Sequence, residues 1–426
     1  MPTIIKTIEN ALTYDISNVQ VEEYWNLGET PELKMHSLHA YPAKFPAFIA
    51  DKAIRLAFKK GIHVKTVSDI FCGCGTVALE AKINNIDFWG CDINPVATLI
   101  TKAKTNSYDM GKLELWYQNI KNTFSIKNQV NDDNYLHANE RIQYWFKKEQ
   151  FDDLLKLKHA ILTIPQGKYR MIFECLFSAI LKPTSKWLTK SIKPQVDPNK
   201  KIADVWECFE SQYKKLNKCL QEIPESHAKI NIATCSILTK RKLPNVDLII
   251  SSPPYVTSYE YADLHQLSSL WLGFTEDYTS LRKGTMGSAY NSETFNYDIL
   301  DLNETARKII ANLKANEKIA KTKIKSIARY YIDMQKAVEQ CYKMLNPCGM
   351  ALFVIGDTEY KGTQIHNSKQ LVEALIQSGF NEVAISKRKI TNKILSPYRD
   401  ENGKFTNNKD DREIYHEEFV ITGRKF

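Results

Sequence analysis

One stretch limits the fold more than any other: VKTVSDIFCGCGTVALEAKINNIDFWGCDINPVATLI, residues 64–100. Val67 to Phe71 reads as a short apolar strand interrupted by Asp69. Gly73-Cys74-Gly75 follows, and TVALEAK opens a helix. Small residues let a backbone turn sharply and approach a ligand without a side-chain clash. The helix start then points free N–H groups at that ligand. A second strand from Ile86 to Gly90 leads to Asp92, where a carboxylate can accept from both hydroxyls of a ribose. The pattern predicts an adenosine-type site at the first strand ends of a Rossmann-like sheet. Taken alone it fits S-adenosylmethionine and a nicotinamide or flavin dinucleotide equally, because Gly73-x-Gly75-x-x-Ala78 also satisfies the dinucleotide fingerprint. A Gly-rich turn with no ligand is a third reading. The stretch does not match the phosphate loop GxxxxGK[ST].

The rest of the chain supports an α/β class. Residues 116–230 look mostly helical, with aromatic residues and lysines interleaved. Residues 231–426 return to apolar runs alternating with helical patterns, including NVDLIISSPPY, GMALFVIGDT and EEFVITGRKF. Strands alternating with amphipathic helices predict a parallel sheet. At roughly 150 residues per domain, 426 residues mean two or three domains, or one large domain with an insertion. Segment 190–201 reads as a loop, and 312–329 as a basic helix that either faces solvent or touches nucleic acid.

Composition removes several classes. No apolar run approaches the roughly 18–20 residues of a membrane span. The first fifteen residues carry acids where a secretion signal needs an apolar core, so a cytoplasmic protein is expected. Nine cysteines, an odd number without a CxxC pair, fit neither a disulfide framework nor a zinc module, and no metal is expected. The net charge of +9 favours a polyanionic partner.

The second informative stretch is Val246-Asp247-Leu248-Ile249-Ile250-Ser251-Ser252-Pro253-Pro254-Tyr255. An apolar strand runs straight into a Pro-Pro turn and an aromatic ring. Two prolines remove two backbone donors and stiffen the chain. The carbonyls of Ser252 and Pro253 then sit at a strand's carboxyl end, where ligands of α/β sheets collect. A strand-ending turn with a packed Tyr is the plainer reading.

The ordered set of motifs resembles the S-adenosylmethionine-dependent DNA amino methyltransferases, which modify an exocyclic amine of cytosine or adenine. Ser252-Pro253-Pro254-Tyr255 resembles their catalytic tetrapeptide. Asp69, Phe71, Gly73 and Gly75 resemble their cofactor motif, and Asp92, with Ile93 beside it, matches the acid after their second strand. His39-Ala40-Tyr41-Pro42-Ala43-Lys44-Phe45-Pro46 looks like the HxYPAKFP segment of one branch, which implies that Tyr41, Pro42, Lys44 and Phe45 border the methionine end of the cofactor. Leu345-Asn346-Pro347-Cys348-Gly349 looks like a later turn of the family.

The resemblance implies a Rossmann-like methyltransferase sheet with a mostly helical insertion. Its cofactor would be S-adenosyl-L-methionine and its substrate double-stranded DNA. The setting it implies is a site-specific modification enzyme, paired with a restriction endonuclease of the same specificity. The expected organisation is a cofactor-binding half over 1–115, a helical insertion over 116–230 that reads the target, and a catalytic half over 231–426 containing an irregular basic stretch at 275–328.

Two departures refine it. Where relatives carry an adenine-contacting acid on the third strand, this chain has Cys235 and Ser236. The tetrapeptide begins with Ser, which favours cytosine N4 over adenine N6. Pro347-Cys348 is the only Pro-Cys pair, and inside that turn it reads as structural, not as the nucleophile of a cytosine-C5 enzyme. Candidate DNA contacts are Arg141, Lys147, Lys148, Lys186, Lys190 and Lys193 with Trp145, Tyr169 and Trp187, then Arg282, Lys283, Lys321, Lys323 and Lys325. Arg388, Tyr398 and Arg399 line the base pocket, bind a phosphate or lie on a surface loop.

Overall fold

The computed structural model describes residues 2–28, 31–126, 133–256, 260–288, 295–390, 398–399, 405–406, 408, 412–413 and 417–426. Its centre is an eight-stranded sheet built from β1 (Thr3–Ile5), β2 (Thr66–Asp69), β3 (Asp87–Asp92), β4 (Ile230–Thr234), β5 (Val246–Ser251), β6 (Leu345–Ile355), β7 (Asn381–Lys389) and β8 (Glu417–Arg424). The spatial order is β1-β7-β8-β6-β5-β2-β3-β4. The five strands from β4 to β6 are parallel, and β8, β7 and β1 continue the sheet with antiparallel pairings. This is a Rossmann-like α/β fold. Strand order reverses between β2 and β5, so both informative motifs emerge side by side at the carboxyl edge.

The pleat explains the apolar runs. Leu248 and Ile250 of β5, with Met350, Leu352 and Val354 of β6, bury against α1 (Ala47–Lys59) and α2 (Thr76–Ile83). The alternate residues Ile249, Ala351, Phe353 and Ile355 bury on the other face, against helices that follow later in the chain. Helix starts are written locally. Asn94 accepts from the Val96 N–H and Pro95 occupies the first position of α3 (Pro95–Thr105).

Helices fill most of the insertion: Met110–Ser125, Glu140–Trp145, Lys148–Leu162, Lys168–Ile180 and Val205–Glu222. The first begins ahead of residue 116 because Asp109 caps it, accepting from the Lys112 N–H at 2.7 Å. Phe146, Leu157, Phe173 and Phe209 share one apolar core with Ile100 and Ala103 of α3, so these helices are packed onto the sheet domain and have no separate core.

The later basic stretch departs from expectation. Its described residues are irregular only up to about residue 303, after which Glu304–Ala315 and α4 (Lys321–Met344) are helical. Asn303 caps the first of these, and Ala306, Ile309, Ile310 and Leu313 bury one face. Residues 312–329 are therefore two helices meeting at a break, not one. The last described helix is α5 (Asn367–Gln377), which with α4 covers the sheet face opposite α1. Among the described residues, no helix is long and apolar enough to cross a membrane, and no group of three or more His, Cys, Asp or Glu is placed to hold a metal ion.

Candidate active site

The carboxyl edge opens into a cavity of about 1350 Å³. Of the residues singled out in the sequence, Tyr41, Lys44, Phe45, Asp69, Phe71, Asp92, Ile93, Cys235, Ser236 and all of Ser252-Pro253-Pro254-Tyr255 form its walls. Pro42, Gly73 and Gly75 are not among them. The two glycines act one layer behind, by shaping the turn.

Gly73 and Gly75 take φ of 47° and 77°. A Cβ on Gly75 would lie 2.5 Å from Thr101 Cγ2, so the turn needs glycine for space as well as for conformation. Thr101 Oγ1 donates to the Gly73 carbonyl at 2.8 Å, a support with no signal in the sequence. The Gly73 N–H in turn donates to Asp92 Oδ2 at 2.9 Å, and the Asn94 N–H to Asp92 Oδ1 at 2.8 Å. Burial pushes the Asp92 carboxyl up, and these two N–H groups oppose it. Asp69 is pushed up to about 7 by burial, against hydrogen bonds from Ser251 Oγ at 2.5 Å and the Phe71 N–H at 3.0 Å. The Cys235 N–H donates to the Asp92 carbonyl at 3.0 Å, which ties the third strand end to the second.

Tyr41 stacks on His265, with ring centroids 4.9 Å apart. Lys44 forms an ion pair with Glu32, whose other oxygen accepts from the Ala47 N–H at 3.0 Å. One layer down, His36 Nε2 meets Glu80 Oε1 at 2.7 Å. The contact looks like an ion pair, but burial drives both groups neutral. Burial pushes Glu80 up to about 8 and His36 down to about 3, which favours the neutral form of each over an ion pair.

Across the cavity, the Tyr255 hydroxyl donates to Glu418 Oε1 at 2.9 Å. Burial, then the Glu418 carboxylate, holds this phenol far above its usual range. Arg388 does not reach for phosphate. Its guanidinium is buried and grips Glu418 Oε2 at 2.9 and 2.6 Å. Cys348 lies exposed near the start of β6, while Gly356, just beyond the end of that strand, lines the cavity. A thiol so placed cannot attack a base held there.

Residues 6–103 match the DNA methylase family. Type II methyltransferase M.MvaI of Kocuria varians is 23% identical over 388 residues, covering 84% of each chain. These matches support an amino methyltransferase of the restriction-modification type. Its cofactor is S-adenosyl-L-methionine. Type II methyltransferase M.AvaI of Anabaena variabilis is also similar, 25% identical over 382 residues, or 79% of this chain and 77% of that one. The rRNA methyltransferase aviRa from Streptomyces viridochromogenes aligns over 84% of this chain and 100% of that one, at 9% identity and a TM-score of 0.30, too slight a likeness to bear on the fold.

The candidate DNA contacts separate into two groups. Arg141, Lys190 and Lys193 line the cavity. Arg141 Nε donates to Gln266 Oε1 at 2.6 Å, and its guanidinium lies over the rings of Tyr144, Trp145 and Tyr278. The others are not in its walls. Trp145 and Trp187 are buried and stack on each other, so they serve the core and are closed to bases. Tyr169 packs edge-on against Tyr108. Lys148 pairs with Asp152, Arg282 with Asp263, and Lys323 lies over Tyr360. Tyr398 pairs within a short three-stranded ribbon outside the cavity walls, and the side chain of Arg399 lies outside the described residues.

Proposed function

We propose that this methyltransferase acts on the N4 amine of a cytosine turned out of duplex DNA, using Ser252-Pro253-Pro254-Tyr255 as its catalytic turn. One observation carries the reading: that turn and Asp92 line a single cavity. A cavity shared by both is what direct transfer between cofactor and base requires, and reaching it obliges the base to leave the stack.

The Asp92 wall suits the cofactor chemically. Each Asp92 oxygen accepts one backbone N–H and keeps lone-pair capacity for a ribose hydroxyl. Phe71, Ile93 and Ile237 supply apolar surface for an adenine, with Ser236 beside them. Tyr41, Lys44 and Phe45 border the same space. S-adenosylmethionine supplies a methyl already activated on a sulfonium. The protein's task is to orient the amine. An amine conjugated to a base ring is a weak nucleophile because its lone pair is delocalised. The Ser252 hydroxyl and the Pro253 carbonyl accept its two hydrogens and draw the lone pair toward the incoming methyl. The Tyr255 ring stacks on the base. The opening Ser supports cytosine over adenine. The Type II designation of the relatives supports pairing with a restriction endonuclease of the same target.

A labelled-methyl assay tests the reading. Label from S-adenosylmethionine should enter unmethylated duplex DNA and not total cellular RNA, and Ser252→Ala should lower the rate. Label entering RNA alone would overturn it.

A further inference from the structure

The Tyr255 ring is held from behind by a row of residues on three neighbouring strands. Glu418 of β8 lies directly opposite Arg388 of β7. On the other side of β8, Phe419 pairs with Ile355, which carries Glu418 opposite Gly356 at the end of β6. The row is Gly356, Glu418, Arg388, and each member has a separate contact. Gly356 lies against the ring: a Cβ there would stand 2.9 Å from Tyr255 Cε2, so a larger residue would push the ring aside. Glu418 Oε1 accepts the phenol proton at 2.9 Å. Arg388 takes the other oxygen through Nε and a terminal nitrogen, and its side chain is only 6% exposed.

We propose that Glu418 and Arg388 are positioning residues for methyl transfer, fixing the angle and depth of the Tyr255 ring through its hydroxyl. The proposal rests on Tyr255 being the platform for the target base. A tyrosine ring anchored only at Cβ rotates about two torsions. Here a hydrogen bond at its far end removes that freedom before the base arrives, so the ordering cost is met in folding and not in the transition state. Glu418 needs Arg388 because a partly buried carboxylate bound to a single hydroxyl would be left poorly compensated. The arrangement also explains why a tyrosine serves better here than a phenylalanine of the same ring area.

The test is a double-variant cycle on unmethylated duplex DNA, reading kcat, cofactor Kd and melting temperature. Tyr255→Phe and Glu418→Ala should each lower kcat about tenfold, the worth of one charge-assisted hydrogen bond. Cofactor Kd should stay within about twofold of wild type. The double variant should be no slower than the worse single, because both remove the same bond. If Glu418→Ala melts at low temperature, Tyr255→Phe carries the test, since it leaves the Glu418–Arg388 pair intact. Wild-type kcat in Tyr255→Phe and Glu418→Ala, beside an impaired Tyr255→Ala, would overturn the positioning role and leave the platform standing. Wild-type kcat in Tyr255→Ala would remove the platform itself, and this proposal with it.

Discussion

The two anchor residues of the cavity, Asp92 and Tyr255, are held in different ways. On the cofactor side, backbone N–H groups of Gly73 and Asn94 grip Asp92, all within one strand–turn–helix–strand unit. On the base side, side chains grip side chains across long chain separations: Tyr255 to Glu418, Glu418 to Arg388, and Arg141 to Gln266. Backbone contacts follow once the local fold forms, whereas the side-chain contacts need the whole sheet and the insertion in place. The cofactor wall should therefore tolerate changes on the base side, and failures of binding and of turnover should separate.

Substitutions at each wall put that separation at risk. Asp92→Ala should have the largest effect, raising cofactor Kd about a hundredfold, as expected for two charge-assisted hydrogen bonds to a ribose. Retention of duplex DNA should be unaffected, and calorimetry with gel retardation measures both. Tyr255→Ala should lower kcat by about 10- to 100-fold, the worth of one stacked base, without moving cofactor Kd. A shift in Kd there would mean that the walls are coupled. Two glycine variants sharpen the contrast. Gly75→Ala places a Cβ at 2.5 Å from Thr101 at a left-handed φ, and should cost about 1–3 kcal/mol in a denaturant melt. For Gly356→Ala the nearest atoms to the new Cβ belong to the Tyr255 ring, so it should slow turnover several-fold with little change in the melt.

The smallest effect is in pH. Glu80 ordinarily titrates at 4.5 and is raised to about 8 by burial, so between these values the folded chain keeps a proton that the unfolded chain releases. Stability should therefore fall as pH rises through that window and level off above it. Asp69 adds the same slope up to about 7. His36 does not interfere above its ordinary value of 6.5, being neutral in both states. Between pH 7 and 9, Glu80→Gln should flatten the decline in melting temperature. An unchanged slope would remove Glu80 from the account.

The same contrast explains what the sequence disclosed. Phe71 to Gly75 and Asp92 lie within one local unit, and hydrophobic runs marked the strands beginning near 66, 87, 246, 345 and 417, while the one near 230 was placed by the family resemblance alone. The Ser-Pro-Pro-Tyr turn was legible because its four residues are contiguous. Glu418 was invisible, being 163 residues from the Tyr255 it holds. Arg388 looked like a surface cation because nothing nearby in the chain showed its partner. The edge strand Thr3–Ile5 was missed for a similar reason, since three residues owe their conformation to pairing with β7. Thr101 carries no pattern of its own and matters only because α3 brings it under Gly75.

The account's central claim is that the two walls meet over one exocyclic amine. Mass spectrometry of nucleosides from unmethylated DNA incubated with the protein and S-adenosylmethionine tests it most directly. The account predicts N4-methylcytosine as the new nucleoside, and its loss with Tyr255→Ala. N6-methyladenine would contradict the choice of base, and 5-methylcytosine would contradict the mechanism.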